Sequence, residues 1–388
     1  MYKIRAGVKC DFGKIIILLI VTIISLSSLC KNREENYLEP VDVSSDSGQS
    51  KNPSIAVDSR GTVHLVWNDD TPGNEEIYYA YKPENGNWST PVNISNNYGA
   101  SRSPCIQVDK NDKIHIVWQD DSPSGVLWKI FHIYKSTDSL WSVPETITAM
   151  GVSLIPVLAV DNNLGLHLFW MEGISSDDCR YHYAYKPNGG QWNIQYLFTT
   201  SISSYEMKVD NIDGVHIVLD PYAETYYIEK TPNGVWSDTT RISHSPTDWQ
   251  LSVSPSIAID NDLSVHVAWA ENDTALYGVA YVKKTSQGGW GQIEAPYKKK
   301  IGFSRPKICI DMNHNIHIIW GLSDIGYGVK YSGQWQNPRT LVKDANCDLG
   351  EMAVTINSEK IYYTWTYTTM IPNTPVSYEI YYIEFKIQ

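Results

Sequence analysis

Six histidines recur at one offset from an aspartate. His64, His115, His167, His216, His266 and His317 stand six residues after Asp58, Asp109, Asp161, Asp210, Asp260 and Asp311 respectively. Imidazole beside carboxylate can ligate a metal, but the donors must then converge to about 2.0–2.2 Å from one ion. Each pair here belongs to its own repeat, so the six histidines cannot share a site. They read as satisfied side chains packed between repeats, and no metal is assigned to them. A second ionisable set is acidic and less regular: Asp69-Asp70, Asp120-Asp121, Glu172, Asp220, Glu271 with Asp273, and Asp324. Clustered carboxylates can bond a local turn, hold calcium or sugar hydroxyls, or raise one another's pKa until one serves as an acid. No spacing selects among these roles.

The elements that position these residues are short strands. Residues 53–95 contain four apolar runs, SIAV, TVHLVW, EIYYAY and TPVNIS, each ended by Gly, Asn, Asp or Pro. Runs rich in Val, Ile, Tyr and Trp between such turn residues are β-strands. The unit recurs at Val108-Asp109, Val160-Asp161, Val209-Asp210, Ile259-Asp260 and Ile310-Asp311, with a worn copy at Ile356-Asn357; the steps are 51, 52, 49, 50, 51 and 46 residues. A period of about 50 with four strands per repeat predicts an all-β, seven-bladed β-propeller of four-stranded antiparallel blades. The seventh repeat stops at Gln388 without a fourth strand, while EPVDVS at 39–44 matches the outer strand TPVNIS at 90–95. The N-terminal strand is therefore expected to complete the last blade and remove an exposed edge.

Charge and composition bound the function. The net charge is −12, which repels phosphate backbones and excludes a nucleic-acid role. At the N-terminus, Lys3, Arg5, Lys9 and Lys14 precede the apolar run 15–29, too short to span a membrane and suited to an export signal. The expected layout is a signal at 1–30, a tether at 31–37 and the propeller at 38–388. Leu-Ser-Ser-Leu-Cys at 26–30 resembles a bacterial lipoprotein box, although Leu29 stands where that box has a small residue. The resemblance makes Cys30 a lipidation candidate and a lipid anchor the expected membrane contact; the leading expectation is ordinary cleavage near Ser27 to Cys30, with an uncleaved anchor as the minor alternative. The location is extracytoplasmic, secreted or attached to the cell envelope. Cys105 and Cys309 fall on equivalent inner strands as small buried groups. Cys179 and Cys347 fall in loops of one face, which leaves a bridge between them open.

Tryptophans punctuate each repeat. Trp67, Trp118, Trp170, Trp269 and Trp320 end the second strand and are expected to wedge between blades, whereas Leu219 replaces the indole in the fourth. Trp88, Trp141, Trp192, Trp236, Trp290 and Trp335 mark the turn from third to fourth strand. With Ser136 and Asp138 before Trp141, this turn resembles the Asp-box, or BNR, repeat of sialidase-like propellers. The resemblance implies a fold-stabilising turn on the face opposite an active site. It also directs attention to arginines, because sialidases hold a substrate carboxylate with three of them. Arg102 and Arg305, each opening an inner strand, and Arg180 on a third loop are the counterparts that the resemblance suggests.

The ligand-binding candidates are thus Arg102, Arg180, Arg305, Asp70, Asp121, Glu172, Glu271, Trp128 and Tyr327, all expected on the top face, where the loops between second and third strands meet the links between blades. Tyr98, Tyr222, Trp249 and Tyr277 are further loop aromatics there. The expected role is a monomeric binding module for a glycan or a cell-surface protein, acting through a top-face funnel. A sialidase-like glycoside hydrolase and a non-catalytic assembly scaffold are the alternatives. No cofactor is required, and calcium stays open at the acidic loops. Mass spectrometry of the exported chain should place its first residue between Ser28 and Lys31; retention of the apolar run would overturn the assignment of a cleaved signal.

Overall fold

The structure is a computed structural model. It describes residues 37–387 apart from 46, 123–124, 126, 137–138, 149–150, 174–178, 244–250, 273–277, 299–304, 322 and 370–375. The readings that fall on 1–36, including Cys30, and on Asp138, Trp249, Asp273 and Tyr277 lie outside the described residues. Residues Leu38–Gln388 form one compact unit.

That unit is a seven-bladed β-propeller. In blade 1 the strands Lys51–Val57, Val63–Asp69, Glu76–Lys82 and Val92–Asn93 pair in order, all antiparallel. Inner strands of blades 2 to 6 are Ser101–Val108, Val152–Val160, Ile202–Val209, Ser252–Ile259 and Lys307–Ile310. Blade 7 comprises Cys347–Ile356, Lys360–Thr369 and Ser377–Lys386, with Val41–Asp42 as its outer strand. Val41 faces Tyr382 and Asp42 faces Tyr381, so the chain closes on itself through its N-terminal strand. The Ser44 hydroxyl, bonded to Glu379 and to the Ile380 amide, continues the join. No helix occurs among the described residues.

Each second strand is covered on both faces by its neighbours, which is why it reads as a nearly unbroken apolar run. VHLVWND at 63–69, IHIVWQD at 114–120 and VHVAWAE at 265–271 are buried at every position. The core is accordingly divided into seven clusters, one per blade interface. Trp67 packs with Tyr362 and Ile380 of blade 7, Trp118 with blade 1, and Trp170 with blade 2. Trp269 and Trp320 occupy the next equivalent interfaces but one, and Leu219 fills the gap in blade 4.

A second aromatic layer spans the same interfaces. A tyrosine on the third strand of one blade meets the turn tryptophan of the next, edge to face. The pairs are Tyr79–Trp141, Tyr183–Trp236, Tyr227–Trp290 and Tyr281–Trp335, with ring centroids 5.1–5.2 Å apart and planes at 81–85°. Tyr382–Trp88 closes the ring at 5.0 Å. Two interfaces carry substitutions: His132 faces Trp192 at 6.1 Å, and Tyr327 faces Phe385 at 5.1 Å. Lysines cross alongside, Lys82 to Glu384, Lys186 to Glu145, Lys284 to Glu229 and Lys330 to Glu294, at 2.6–3.0 Å.

The inner strands bend near their top ends. Register slips between Lys51 and Ser54, Arg102 and Cys105, Leu154 and Val157, and Val253 and Ser256. At each bulge one residue is left-handed: Asn52, Ser103, Ile155 and Ser254, with φ of 51–57°. Proline follows every one, and a residue with no N–H to give the ladder suits a bulge. Ile155 is the costly member, because a β-branched side chain is a steric outlier at positive φ.

Loss of an interface ring should be measurable. Trp141→Ala is expected to cost about 3 kcal/mol in urea unfolding, in the range for truncating a large packed aromatic. Tyr79→Phe leaves the ring but removes the hydroxyl partner of buried His64, and should cost about 1–3 kcal/mol. Stability unchanged in both would refute the proposed role of this layer.

Candidate functional site

The repeated histidines serve the blades. Each imidazole Nδ1 is hydrogen-bonded to the third-strand tyrosine hydroxyl: His64–Tyr79, His167–Tyr183, His216–Tyr227, His266–Tyr281 and His317–Tyr327, at 2.6–2.8 Å. The other nitrogen faces the aspartate six residues earlier, at 2.9–3.1 Å in blades 3, 4 and 5. In blade 1 this contact opens to 3.7 Å, because Arg60 occupies the same Asp58 oxygen at 2.8 Å. The second aspartate oxygen accepts two backbone amides of the turn, as from Asn163 and Gly165 to Asp161. One aspartate thus fixes both turn and imidazole. Blade 2 departs from the pattern: His132 replaces tyrosine and lies 3.2 Å from His115, and Glu145 faces its other nitrogen at 3.0 Å. A cavity of about 300 Å³ between blades 2 and 3 borders this pair.

The acidic top loops are largely occupied by local bonds. Asp120 accepts Ser101 Oγ at 2.7 Å, Trp118 Nε1 at 3.0 Å, the Ser122 amide and Asn97. Burial works to raise its pKa, but these donors outweigh burial and hold the carboxyl below the usual range. Glu271 accepts Ser252 Oγ and Trp269 Nε1, both at 2.8 Å. Asp220 accepts the amides of Ser204 and Ser254. Asp70 and Asp121 accept the amides of Gln49 and Ala100, each at 2.7 Å. Glu172 lies 2.9 Å from His182 Nε2. The repeated bond staples each second-to-third strand loop to the link entering its blade. Its sequence signal is a serine 19 residues before the acid, as in Ser50–Asp69, Ser101–Asp120 and Ser252–Glu271.

The three arginines do not converge. Arg102 pairs with Glu75 and lies over the Trp128 ring, 5.1 Å from its centroid. Arg180 faces Glu172 at 3.9 Å. Arg305 alone of the three lines the axial cavity. Tyr327 is not on a top loop either: it is buried in the third strand of blade 6, with its hydroxyl on His317, because the short turn of that blade starts the strand at Ile325. Tyr98 and Tyr222 are fully or largely exposed. No disulfide joins the described cysteines; Cys179 and Cys347 open strands of blades 3 and 7 instead of lying in loops. The trio of potential metal donors among the described residues, Asp260, Asp262 and His314, sits at the bottom turns, and Asp260 already accepts from His266 and the turn amides.

The axial cavity has a volume of about 490 Å³ and is walled by inner strands of six blades. Its rim carries Asn52, Ser103 and Ile155 at the bulges, with Met171. Deeper, Glu206 stands between Lys307 at 3.4 Å and Lys208 at 3.5 Å. Burial acts to raise the Glu206 pKa, but the two lysines hold it below the ordinary value. It is the one carboxylate among the described lining residues. Burial lifts the Tyr205 hydroxyl well above its ordinary pKa and also raises the Cys105 thiol, so neither is a ready base or nucleophile at neutral pH. Lys208 and Lys307 were not singled out from sequence, though a signal existed. Four and two residues before the marker Asp or Asn, the other blades have Ser54, Cys105, Val157, Ser256 and Ala353, or Ala56, Gln107, Ala159, Ala258, Cys309 and Thr355. Glu206, Lys208 and Lys307 alone put charge there.

No family model and no curated protein matches the sequence. Solved structures do share the fold. A streptogramin B lyase aligns with a TM-score of 0.57 at 12% identity, over 90% of this chain and 98% of that one. An ulvan lyase of polysaccharide lyase family PL25, bound to a glucuronate–sulfated rhamnose unit, aligns with 0.56 at 13%, over 88% and 95%. A leech intramolecular trans-sialidase aligns with 0.52 at 11%, over 74% and 67%. At these identities the likeness establishes a propeller fold, not a BNR repeat.

The buried histidines give a pH test. Burial pushes His64 and His266 down to about 4, against the pull of Asp58 and Asp260. The unfolded chain therefore takes up protons from 6.5 downward, before the native state does. Stability should be full above that value and fall as the pH drops towards 4, with a shallower fall in His266→Gln. A denaturation midpoint independent of pH across this window would contradict the assignment.

Proposed function

We propose that the chain is a non-catalytic saccharide-binding propeller, with the ligand seated in the mouth of the axial cavity. The observation that carries this reading is the cavity itself, whose 490 Å³ falls within the range of about 300–1,000 Å³ typical of small-molecule sites. Its rim alternates amide and hydroxyl groups, Asn52 and Ser103, with apolar Ile155 and Met171. That mixture suits a ring that presents hydroxyls at its edge and C–H groups on its face. The left-handed Ile155 supports the choice of this rim, since backbone strain held in place by its surroundings concentrates at functional sites.

Hydrolysis is the weaker reading. A glycosidase needs two carboxyl groups about 5–9.5 Å apart across the scissile bond. The cavity supplies Glu206 alone among its described residues, and the top-loop acids are bound to serines, indoles and amides. Polysaccharide lyases and a trans-sialidase share the fold, which supports a saccharide over other small ligands. The basic and apolar N-terminus supports export, where such a module would meet glycans.

A glycan array probed with the purified chain tests the reading. Retention of one saccharide class, with no trimming of terminal sugars, is the expected result, and Ile155→Asp should abolish it without unfolding the protein. Release of terminal sugars would replace the binding reading with a hydrolase. A blank array from folded protein would remove the saccharide altogether.

A further inference from the structure

We infer that the axial site selects an acidic saccharide, one whose carboxylate or sulfate group enters the cavity and is held by Arg305, Lys307 and Lys208. This rests on the reading that the cavity is the saccharide seat. The argument begins with the sign of the charge. The chain carries −12 overall, so an anion approaching it at random meets repulsion. The cavity reverses that sign locally: three cations face one carboxylate.

The arrangement is not explained by stability. Inner-strand positions facing the axis are small or uncharged in five of the seven blades, and charge appears there only in blades 4 and 6. Glu206 draws Lys307 and Lys208 to within 3.4–3.5 Å, which offsets one positive charge and fixes both ammonium groups near the axis. The second lysine charge stays unbalanced. Arg305 adds another, and among the described residues it has no carboxylate or hydrogen-bond partner. By contrast Arg102 and Arg180 each face a glutamate. A planar guanidinium with its donors unspent is suited to a carboxylate or sulfate, which can take two parallel hydrogen bonds. Glu206 then has a second role: it repels a misplaced anion and so confines the acidic group to the side of the cavity that holds Arg305 and Lys307. A neutral sugar would leave this excess charge uncompensated in a partly desolvated site, so the acidic residue is selected by difference.

The test compares three probes on the intact chain: an oligosaccharide of alternating glucuronate and N-acetylglucosamine, the same oligosaccharide with its carboxyls reduced to alcohols, and a sulfated counterpart. Titration calorimetry at low and high salt gives affinities. The acidic forms should bind and the reduced form should not. Affinity should fall with salt, and Arg305→Gln or Lys307→Gln should weaken it about tenfold or more, as expected for loss of a charge-assisted hydrogen bond. Preference for the carboxylated or the sulfated form identifies which group is taken. Arg305→Lys, which keeps the charge but loses the fork, should recover part of the affinity. Unchanged melting of Arg305→Gln serves as the folding control. Equal binding of acidic and reduced forms, insensitive to these substitutions, would overturn the inference while leaving the saccharide reading intact. If no oligosaccharide binds but sodium sulfate raises the melting temperature of the wild type and not of Arg305→Gln, the anion site holds and the saccharide falls. With no response to any probe, both fail.

Discussion

Every part of this propeller depends on the edge-to-face contact between a third-strand aromatic of one blade and a turn aromatic of the next. A blade is a twisted four-stranded sheet with two apolar faces, and it cannot be stable by itself. The aromatic pair sets the distance and angle at which neighbours meet, because the ring quadrupole favours a near-perpendicular approach over a sandwich. Six such contacts, and a seventh between Tyr327 and the third-strand Phe385, at 5.0–6.1 Å, set the steps around the axis. In blades 1, 3, 4, 5 and 6 the tyrosine is itself held by the histidine behind it, and in blades 3, 4 and 5 that histidine is hydrogen-bonded to the aspartate of the turn. In those three blades a polar relay thereby anchors an apolar contact between blades. In blades 3, 4 and 5 the relay also keeps a buried hydroxyl and imidazole satisfied, which their burial requires.

A ring assembled in this way has a consequence at its centre. The steps leave an axial space whose width is set by the interfaces and not by the residues that line it. Lining positions are therefore free to vary without disturbing the blades, and they are where blades 4 and 6 carry Glu206, Lys208 and Lys307. The bulges near the top ends of the inner strands of blades 1, 2, 3 and 5 shape the rim above them. Ring packing and cavity lining thus occupy different layers of one repeat: the second and third strands hold the ring together, and the first strand lines the axial space.

The same separation explains what could be read from the chain. The blade count, the strand order and the closing role of residues 39–44 were legible, because each repeat obeys the same local rules of turn and alternation. The packing role of the histidines was legible too, since six copies on six blades cannot meet. The tyrosine partner was not, although it stands three residues before a lysine in Tyr79–Lys82, Tyr183–Lys186, Tyr227–Lys230, Tyr281–Lys284 and Tyr327–Lys330. The loop between second and third strands varies in length, so counting forward from the histidine hides a spacing that counting back from the lysine reveals. Tyr327 was placed on a loop for the same reason.

Sequence alone determined the architecture, because a 50-residue period with four strands admits few other packings and local turn chemistry repeats it seven times. It also determined which residues are repeated and hence structural. Only the tertiary structure decided which of the unrepeated residues face one another. Arg102, Arg180 and Arg305 look equivalent in the chain, yet two are turned to glutamates and one enters the cavity. Glu206 and Lys307 are about a hundred residues apart and meet because blades 4 and 6 both open onto the axis. The physical reason is that strand formation depends on neighbours along the chain, whereas the charge balance of a cavity depends on distances set by ring closure, which no single repeat contains.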